Sequence, residues 1–93
     1  MKVQWDERKA AGNKQKHGVS FEEAATVFSN PLALIFDDEW HSEAEEREII
    51  VGHSTDGQLL VISFTEREGA VRIISARPAT AREQSDYEED TFR

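Results

Sequence analysis

The chain has 93 residues, a formal net charge of -8 and no cysteine. That length gives a single domain, residues 1–93, with one modest core, and the missing thiols exclude a disulfide framework and a thiolate metal site. No apolar run approaches the roughly 20 residues needed to span a bilayer, and the polar start does not read as a signal peptide, so a cytoplasmic protein with no membrane association is expected.

Net acidity argues against a general nucleic-acid binder, but the charge is unevenly spread. Residues 1–20 hold five Lys/Arg against two acids, and residues 51–82 hold four arginines against three acids. Residues 21–50 hold nine acids and only Arg47, and residues 83–93 hold five acids and Arg93. The acid forms two blocks, which serve either as solvated surface or as a face for a basic partner protein.

In chain order, Val3 and Trp5 alternate with polar residues and predict a short strand over residues 2–5. Asp6 is placed as an N-cap for a helix to His17 that stops at Gly18, with Lys14, Lys16 and His17 at its negative end. Ser20 and Glu23 have capping-box spacing for a second helix over residues 21–28, with Phe21, Ala24, Ala25 and Phe28 on one stripe. Asn30-Pro31 ends it, and residues 32–36 read as an apolar strand. Residues 37–46 form an acidic connection that contains Trp40 and His41.

Three strands are predicted next, over residues 47–54, 58–65 and 71–77. Asp56-Gly57 is the first hairpin tip, residues 67–69 make the next turn, and Pro78 closes the sheet. Thr80 with Glu83 is a further capping box that opens a helix to about Asp90, and residues 91–93 fray. A two-residue tip at Asp56-Gly57 pairs Val51 with Ile62 and Ile49 with Phe64. Pairing Phe64 with Val71 then puts Ile49, Val51, Leu60, Ile62, Phe64, Val71 and Ile73 on one face, under the helices. The other face carries Glu48, Ile50, Gly52, Leu59, Val61, Ser63, Arg72 and Ile74.

Two groups of side chains carry candidate chemistry. Lys16-His17 combines a phosphate-holding cation with a side chain of intrinsic pKa about 6.5, although both also suit a helix C-terminus. Arg47, Arg67, Arg72 and Arg77 lie in or beside the predicted strands. Arginine suits phosphate because its guanidinium donates in a fixed fork, although surface pairing with the many acids is the plainer use. Arg72 and Arg77 are an odd number of positions apart, so a regular strand points them to opposite faces. His41 among Asp37, Asp38, Glu39 and Glu43 has no diagnostic metal-ligand spacing, and His53 near the hairpin tip reads as structural. With no phosphate loop, nucleophile elbow or zinc pattern, neither metal nor cofactor is expected.

The block Lys16-His17-Gly18-Val19-Ser20-Phe21-Glu22-Glu23-Ala24 and the block from Arg72 to Glu83, followed by Tyr87, resemble the BrnT family of bacterial toxins. So do Trp5-Asp6, Lys9, Asn13, Asn30-Pro31-Leu32, Glu46-Arg47, Gly52-His53-Ser54 and Thr65-Glu66-Arg67. The resemblance spans about residues 3–89. It implies an α+β fold similar to the RelE-type toxins, with helices packed on one face of an antiparallel sheet and a C-terminal helix. It implies a ribonuclease that cleaves RNA without metal and inhibits translation. It also implies a cognate antitoxin, a small DNA-binding protein similar to BrnA, through which operator DNA is reached only indirectly.

Metal-free cleavage through the ribose 2′-hydroxyl needs a base, an acid and cations for the transition state. On the matching positions His17 takes the acid–base work, Arg47, Arg72 and Arg77 supply cations, and Lys16, Arg67 and Tyr87 position the RNA. The acidic last helix, with Glu83, Asp86, Glu88, Glu89 and Asp90, departs from the basic character that RNA binding favours. The alternative from another class is a non-catalytic protein-binding module of the same fold that only partners a DNA-binding regulator.

Overall fold

The computed structural model describes residues 2–38 and 46–90. Eight elements follow one another among these residues: β1 (Lys2–Gln4), α1 (Glu7–His17), α2 (Phe21–Val27), β2 (Leu34–Asp37), β3 (Glu48–His53), β4 (Leu59–Arg67), β5 (Ala70–Pro78) and α3 (Ala81–Glu88). The strands form one sheet in the order β1-β5-β4-β3-β2. Pairings β2–β3, β3–β4 and β4–β5 are antiparallel, whereas β1 runs parallel to β5, so the sheet is mixed.

The helix ends follow the capping chemistry of the sequence. Asp6 accepts from Arg8 N at 2.8 Å and Lys9 N at 3.2 Å, and Gly18 closes α1 at φ 72° with its N–H on Lys14 O. That left-handed angle favours a residue without Cβ. Thr80 and Glu83 form a complete capping box at α3. At α2 only half of the expected box forms. Ser20 Oγ accepts from Glu23 N, but the Glu23 carboxylate instead accepts from Ser54 Oγ at 2.8 Å, which ties α2 to the β3–β4 hairpin.

Both hairpin registers differ from the sequence expectation, for identifiable reasons. Gly57, at φ 83°, donates to Ser54 O, and Ser54 N donates to Gln58 O. Gly57 therefore ends the turn in the left-handed conformation and Asp56-Gly57 is not a two-residue tip. The pairing slips by one, to Ile50↔Ile62 and Val51↔Val61. A one-residue slip exchanges faces: Ile50 joins the helix-covered face, and Ile49 and Val51 move to the other. In the second hairpin Glu68 (φ 52°) and Gly69 (φ 79°) occupy the two central positions and Arg67 pairs with Ala70. This is the two-residue turn whose twist suits antiparallel strands. Phe64 consequently pairs with Ile73, not Val71.

The first face, under α1 and α2, carries the main core. Phe21, Ala24 and Val27 from α2 and Val19 before it pack on Ile50, Leu60, Ile62, Phe64, Val71, Ile73 and Ala76, all buried. Trp5 meets the Phe21 ring edge-on at 6.1 Å, and Phe28 meets Phe64 at 5.0 Å. Gly52 lies where a Cβ would come within 2.8 Å of Ala33 Cβ and 3.1 Å of Val27 Cγ1, so the close approach of β3 to this layer requires glycine. The second face carries a smaller cluster, Val51, Leu59 and Val61, against which Phe36, Ile49, Ala79 and Tyr87 pack. The helices are thus split between the faces, with α3 on the second.

One buried side chain joins the layers. Asn13 of α1 donates to Val19 O at 3.0 Å and Ala76 O at 2.8 Å, and accepts from Ala76 N at 3.1 Å. β1 pairs only with Ala70–Arg72, so beyond Arg72 the outer edge of β5 has no strand beside it. The Asn13 amide supplies a donor and an acceptor there, as a neighbouring strand would.

Asn13→Ala leaves three buried backbone groups without partners and is expected to cost about 3 kcal/mol, read as a lower urea midpoint at unchanged slope. A loss within 0.5 kcal/mol would show that water replaces the amide. Glu68→Asn puts a residue that tolerates positive φ into the second turn and is expected to stabilise by about 0.5–1 kcal/mol in the same measurement.

Candidate active site

The candidate arginines are distributed by register. Val61 and Ile49 belong to the second-face cluster, so Ser63 (opposite Ile49) and Thr65 follow on that face along β4. Arg77 pairs with Val61 and Arg72 pairs with Thr65. Both arginines therefore share the second face, against the expectation of opposite faces. The cause is a bulge: Ser63 pairs with Ser75 but Phe64 with Ile73, so Ile74 is an extra residue that resets the alternation. Arg67 takes the next second-face position beyond Thr65 at the end of β4. The β2–β3 ladder continues through Asp38 N donating to Arg47 O at 2.9 Å, and extending the β3–β4 register sets Arg47 beside Thr65. The rows of Arg77 and Arg72 lie roughly 13 Å apart along the sheet.

These cations differ in their surroundings. Arg72 is exposed and makes no hydrogen bond or ion pair among the described residues. Arg77 is gripped by Glu83 of α3, Nη1 to Oε1 at 2.7 Å and Nη2 to Oε2 at 2.9 Å, and Nη1 also donates to Pro78 O at 3.3 Å. The same carboxylate accepts from Thr80 N at 2.9 Å. The hydrogen bonds from Arg77, with help from Thr80, hold the Glu83 carboxyl down at about 2, and the Glu83 bond raises the Arg77 guanidinium above its ordinary value. Arg47 is half-buried, with its Nε buried.

Lys16 and His17 are elsewhere. They end α1, in the layer over the first face, Lys16 exposed and His17 half-buried. The sheet separates that layer from the arginine face, so His17 and the arginines do not line one surface. Between them lies the edge of β5 that Asn13 guards. Tyr87 donates its hydroxyl to Leu32 O at 2.8 Å and sets its ring edge-on to His53 at 5.6 Å. Tyr87 thus anchors α3 to the sheet, with His53 of β3 as its ring neighbour.

Between α3 and the sheet the second face opens into a groove of about 820 Å³. Leu34, Phe36, Ile49 and Val61 form its floor. Its walls hold Asp37, Asp38, Glu83, Asp86 and Asp90 against Arg77 and Arg82. Glu48, expected on the arginine face, instead pairs with Phe64 on the first face, another consequence of the one-residue slip. Burial, with Glu66, Asp37 and Glu46 nearby, raises its carboxyl above the ordinary value. Residues 39–45, with His41, Glu43 and Glu45, lie outside the described residues. No group of three or more metal-ligating side chains occurs among the described ones. The Arg77–Glu83 pair escaped the sequence reading. Thr80-x-x-Glu83 signalled the cap, but nothing in the spacing signalled the second partner.

A carboxyl depressed in the folded state stabilises fully above its unfolded value, near 4.5, and loses that contribution as pH falls toward 2. The half-exposed Arg77 keeps the effect to about 1 kcal/mol through solvent screening. Glu83→Gln should therefore lower the urea midpoint at pH 6 and lose that difference by about pH 2. An equal deficit at both values would mean that the box geometry, and not the charge, stabilises α3.

This geometry has counterparts among known proteins. The family model for the ribonuclease toxin BrnT of type II toxin–antitoxin systems matches residues 5–83. The crystal structure of the Brucella abortus ribonuclease toxin BrnT is similar, with 26% sequence identity and a TM-score of 0.68 over 86% of this chain and 97% of that one. A comparison with curated protein sequences gives no match. With the matched stretch running from Trp5 through Glu83, across every strand from β2 to β5, the chain belongs to the BrnT family of type II toxin–antitoxin ribonuclease toxins.

Proposed function

We propose that this chain is a cytoplasmic, metal-independent endoribonuclease that inhibits translation and is neutralised by a cognate BrnA-like antitoxin, which alone contacts operator DNA. The observation that carries this reading is the second sheet face, where the bulge at Ile74 gathers Arg67, Arg72 and Arg77 in a chain of this family.

In the reaction the 2′-hydroxyl attacks the adjacent phosphorus and the P–O5′ bond breaks. One proton leaves the 2′-oxygen and one reaches the 5′-oxygen, giving a cyclic 2′,3′-phosphate and a 5′-hydroxyl. Charge builds on the non-bridging oxygens in the transition state. Arg72, with no bond among the described residues, is suited to meet it, with Arg47 and Arg67 on the same face. Arg77, already bonded to Glu83, holds α3 in place and completes the cationic row. His17 is the candidate acid or base, and Lys16 beside it a phosphate contact; this role requires RNA to pass around the edge of β5. Tyr87, held by Leu32 O and by the His53 ring, is the remaining candidate RNA contact.

The acidic groove favours a second reading, a partner-binding module without useful catalysis, because its five carboxylates repel RNA and suit a basic protein. RNA cleavage by the purified chain in the presence of a chelator decides between them.

Arg72→Ala is expected to lower cleavage on the order of 100-fold and to relieve growth arrest on induction, with an unchanged circular dichroism spectrum. A folded Arg72→Ala of full toxicity would remove Arg72 from the site. His17→Gln should alter the pH–rate profile between about pH 5 and 8 if the imidazole moves a proton, and leave its shape intact if His17 only ends α1.

A further inference from the structure

We infer that Ser63 and Ser75 form a binding subsite for the RNA phosphodiester backbone on the second face, midway between the rows of Arg77 and Arg72. The inference rests on the ribonuclease reading and adds two residues to it.

The two serines are directly opposed across β4 and β5 and both are half-buried. Neither hydroxyl has a hydrogen-bond partner among the described residues, not even the other serine. In local terms the pair is a poor choice. Strand positions on a half-buried face favour β-branched or aromatic pairs, and two unbonded hydroxyls forgo that packing. The flanking second-face positions do follow the rule, with Ile49 beside Ser63 on β3 and Val61 and Thr65 before and after it on β4. A local rule broken at one place without internal compensation marks a site that meets its partner outside the chain.

Position identifies that partner. The serines sit immediately beside the bulge, a device that re-aims side chains, and here the bulge brings the arginines of β5 to the serines' own face. The Arg77 row lies about 7 Å to one side of the serine row along β4 and the Arg72 row about 7 Å to the other. Two neutral donors, with the Arg72 guanidinium on one side and the Glu83-bonded Arg77 on the other, suit an extended anion, whose oxygens accept from the hydroxyls while Arg72 balances its charge. The backbone of single-stranded RNA is such an anion.

The test uses the full chain with serine replaced by valine at both positions, Ser63→Val with Ser75→Val, and separately by alanine. Valine suits a strand, so the fold should be kept and the urea midpoint should hold or rise. The first probe is a 2′-O-methyl single-stranded RNA oligonucleotide, which lacks the nucleophile and reports binding alone. Its dissociation constant should rise at least about tenfold, since each lost hydrogen bond to a charged group weighs about that much. With unmodified RNA, KM should rise by a similar factor while kcat stays within about threefold. Cleavage and binding equal to the unsubstituted chain in both folded double variants would overturn the subsite while leaving the ribonuclease reading intact. If the unsubstituted chain neither binds nor cleaves RNA, the ribonuclease reading falls and the subsite with it. A matching fall in the urea midpoint and in activity for both variants would make the serines structural and would also overturn the inference.

Discussion

The Asn13 amide is the contact on which the arrangement of layers depends. It meets three backbone groups: the carbonyl of Val19 just before α2 and both polar groups of Ala76 on β5. A helix normally turns only side chains toward a sheet, and apolar packing alone leaves it able to slide or rotate. A buried amide with both its functions engaged cannot move without leaving polar groups unpaired, which makes it a positional constraint as well as a stabilising one. Because Ala76 adjoins Arg77, that constraint also sets where β5 presents the cation that Glu83 holds. The chain from Asn13 through Ala76 and Arg77 to α3 thus runs from one face of the sheet to the other through adjacent residues of one strand.

Helix limits were legible from the sequence because they are local. Asp6, Gly18, Ser20 and Thr80 act within four residues of themselves, and each lies where its chemistry predicts. Register was not legible, because it depends on which glycine conformation closes each turn. Gly57 serves as the last residue of a longer turn and not as the second of a two-residue tip, and that single difference transferred Ile49, Ile50, Val51 and Glu48 between faces. The parallel pairing of β1 with β5 was equally hidden, since it joins residues nearly seventy positions apart. The arginines were recognisable as a group, but their common face depends on a bulge that leaves no mark in composition or spacing. Glu23 shows the limit of motif reading from another side. Its spacing from Ser20 is that of a capping box, yet its carboxylate bonds to Ser54, thirty-one residues away.

So acidic a chain is an unusual member for a family of ribonuclease toxins, and the second face offers a physical account of how its charge is arranged. Its charge is divided between elements: the groove carboxylates come from β2 and its end and from α3 and its end, and the arginines of the face from β4 and β5. Toward α3 the groove walls carry more carboxylates than guanidiniums, and Arg77 within it is already neutralised by Glu83. Toward the β4–β5 turn stand Arg72 and Arg67, at the end of the sheet away from α3. Over distances beyond roughly 8 Å at physiological salt the acids of the groove are screened, so a phosphate at the Arg72 end responds to its immediate neighbours more than to the net charge of -8. Within that screening distance the acid disfavours RNA and favours a basic protein. On the proposed reading, the carboxylates that disfavour RNA would favour a basic antitoxin, which would dock on the groove beside the arginines of β4 and β5.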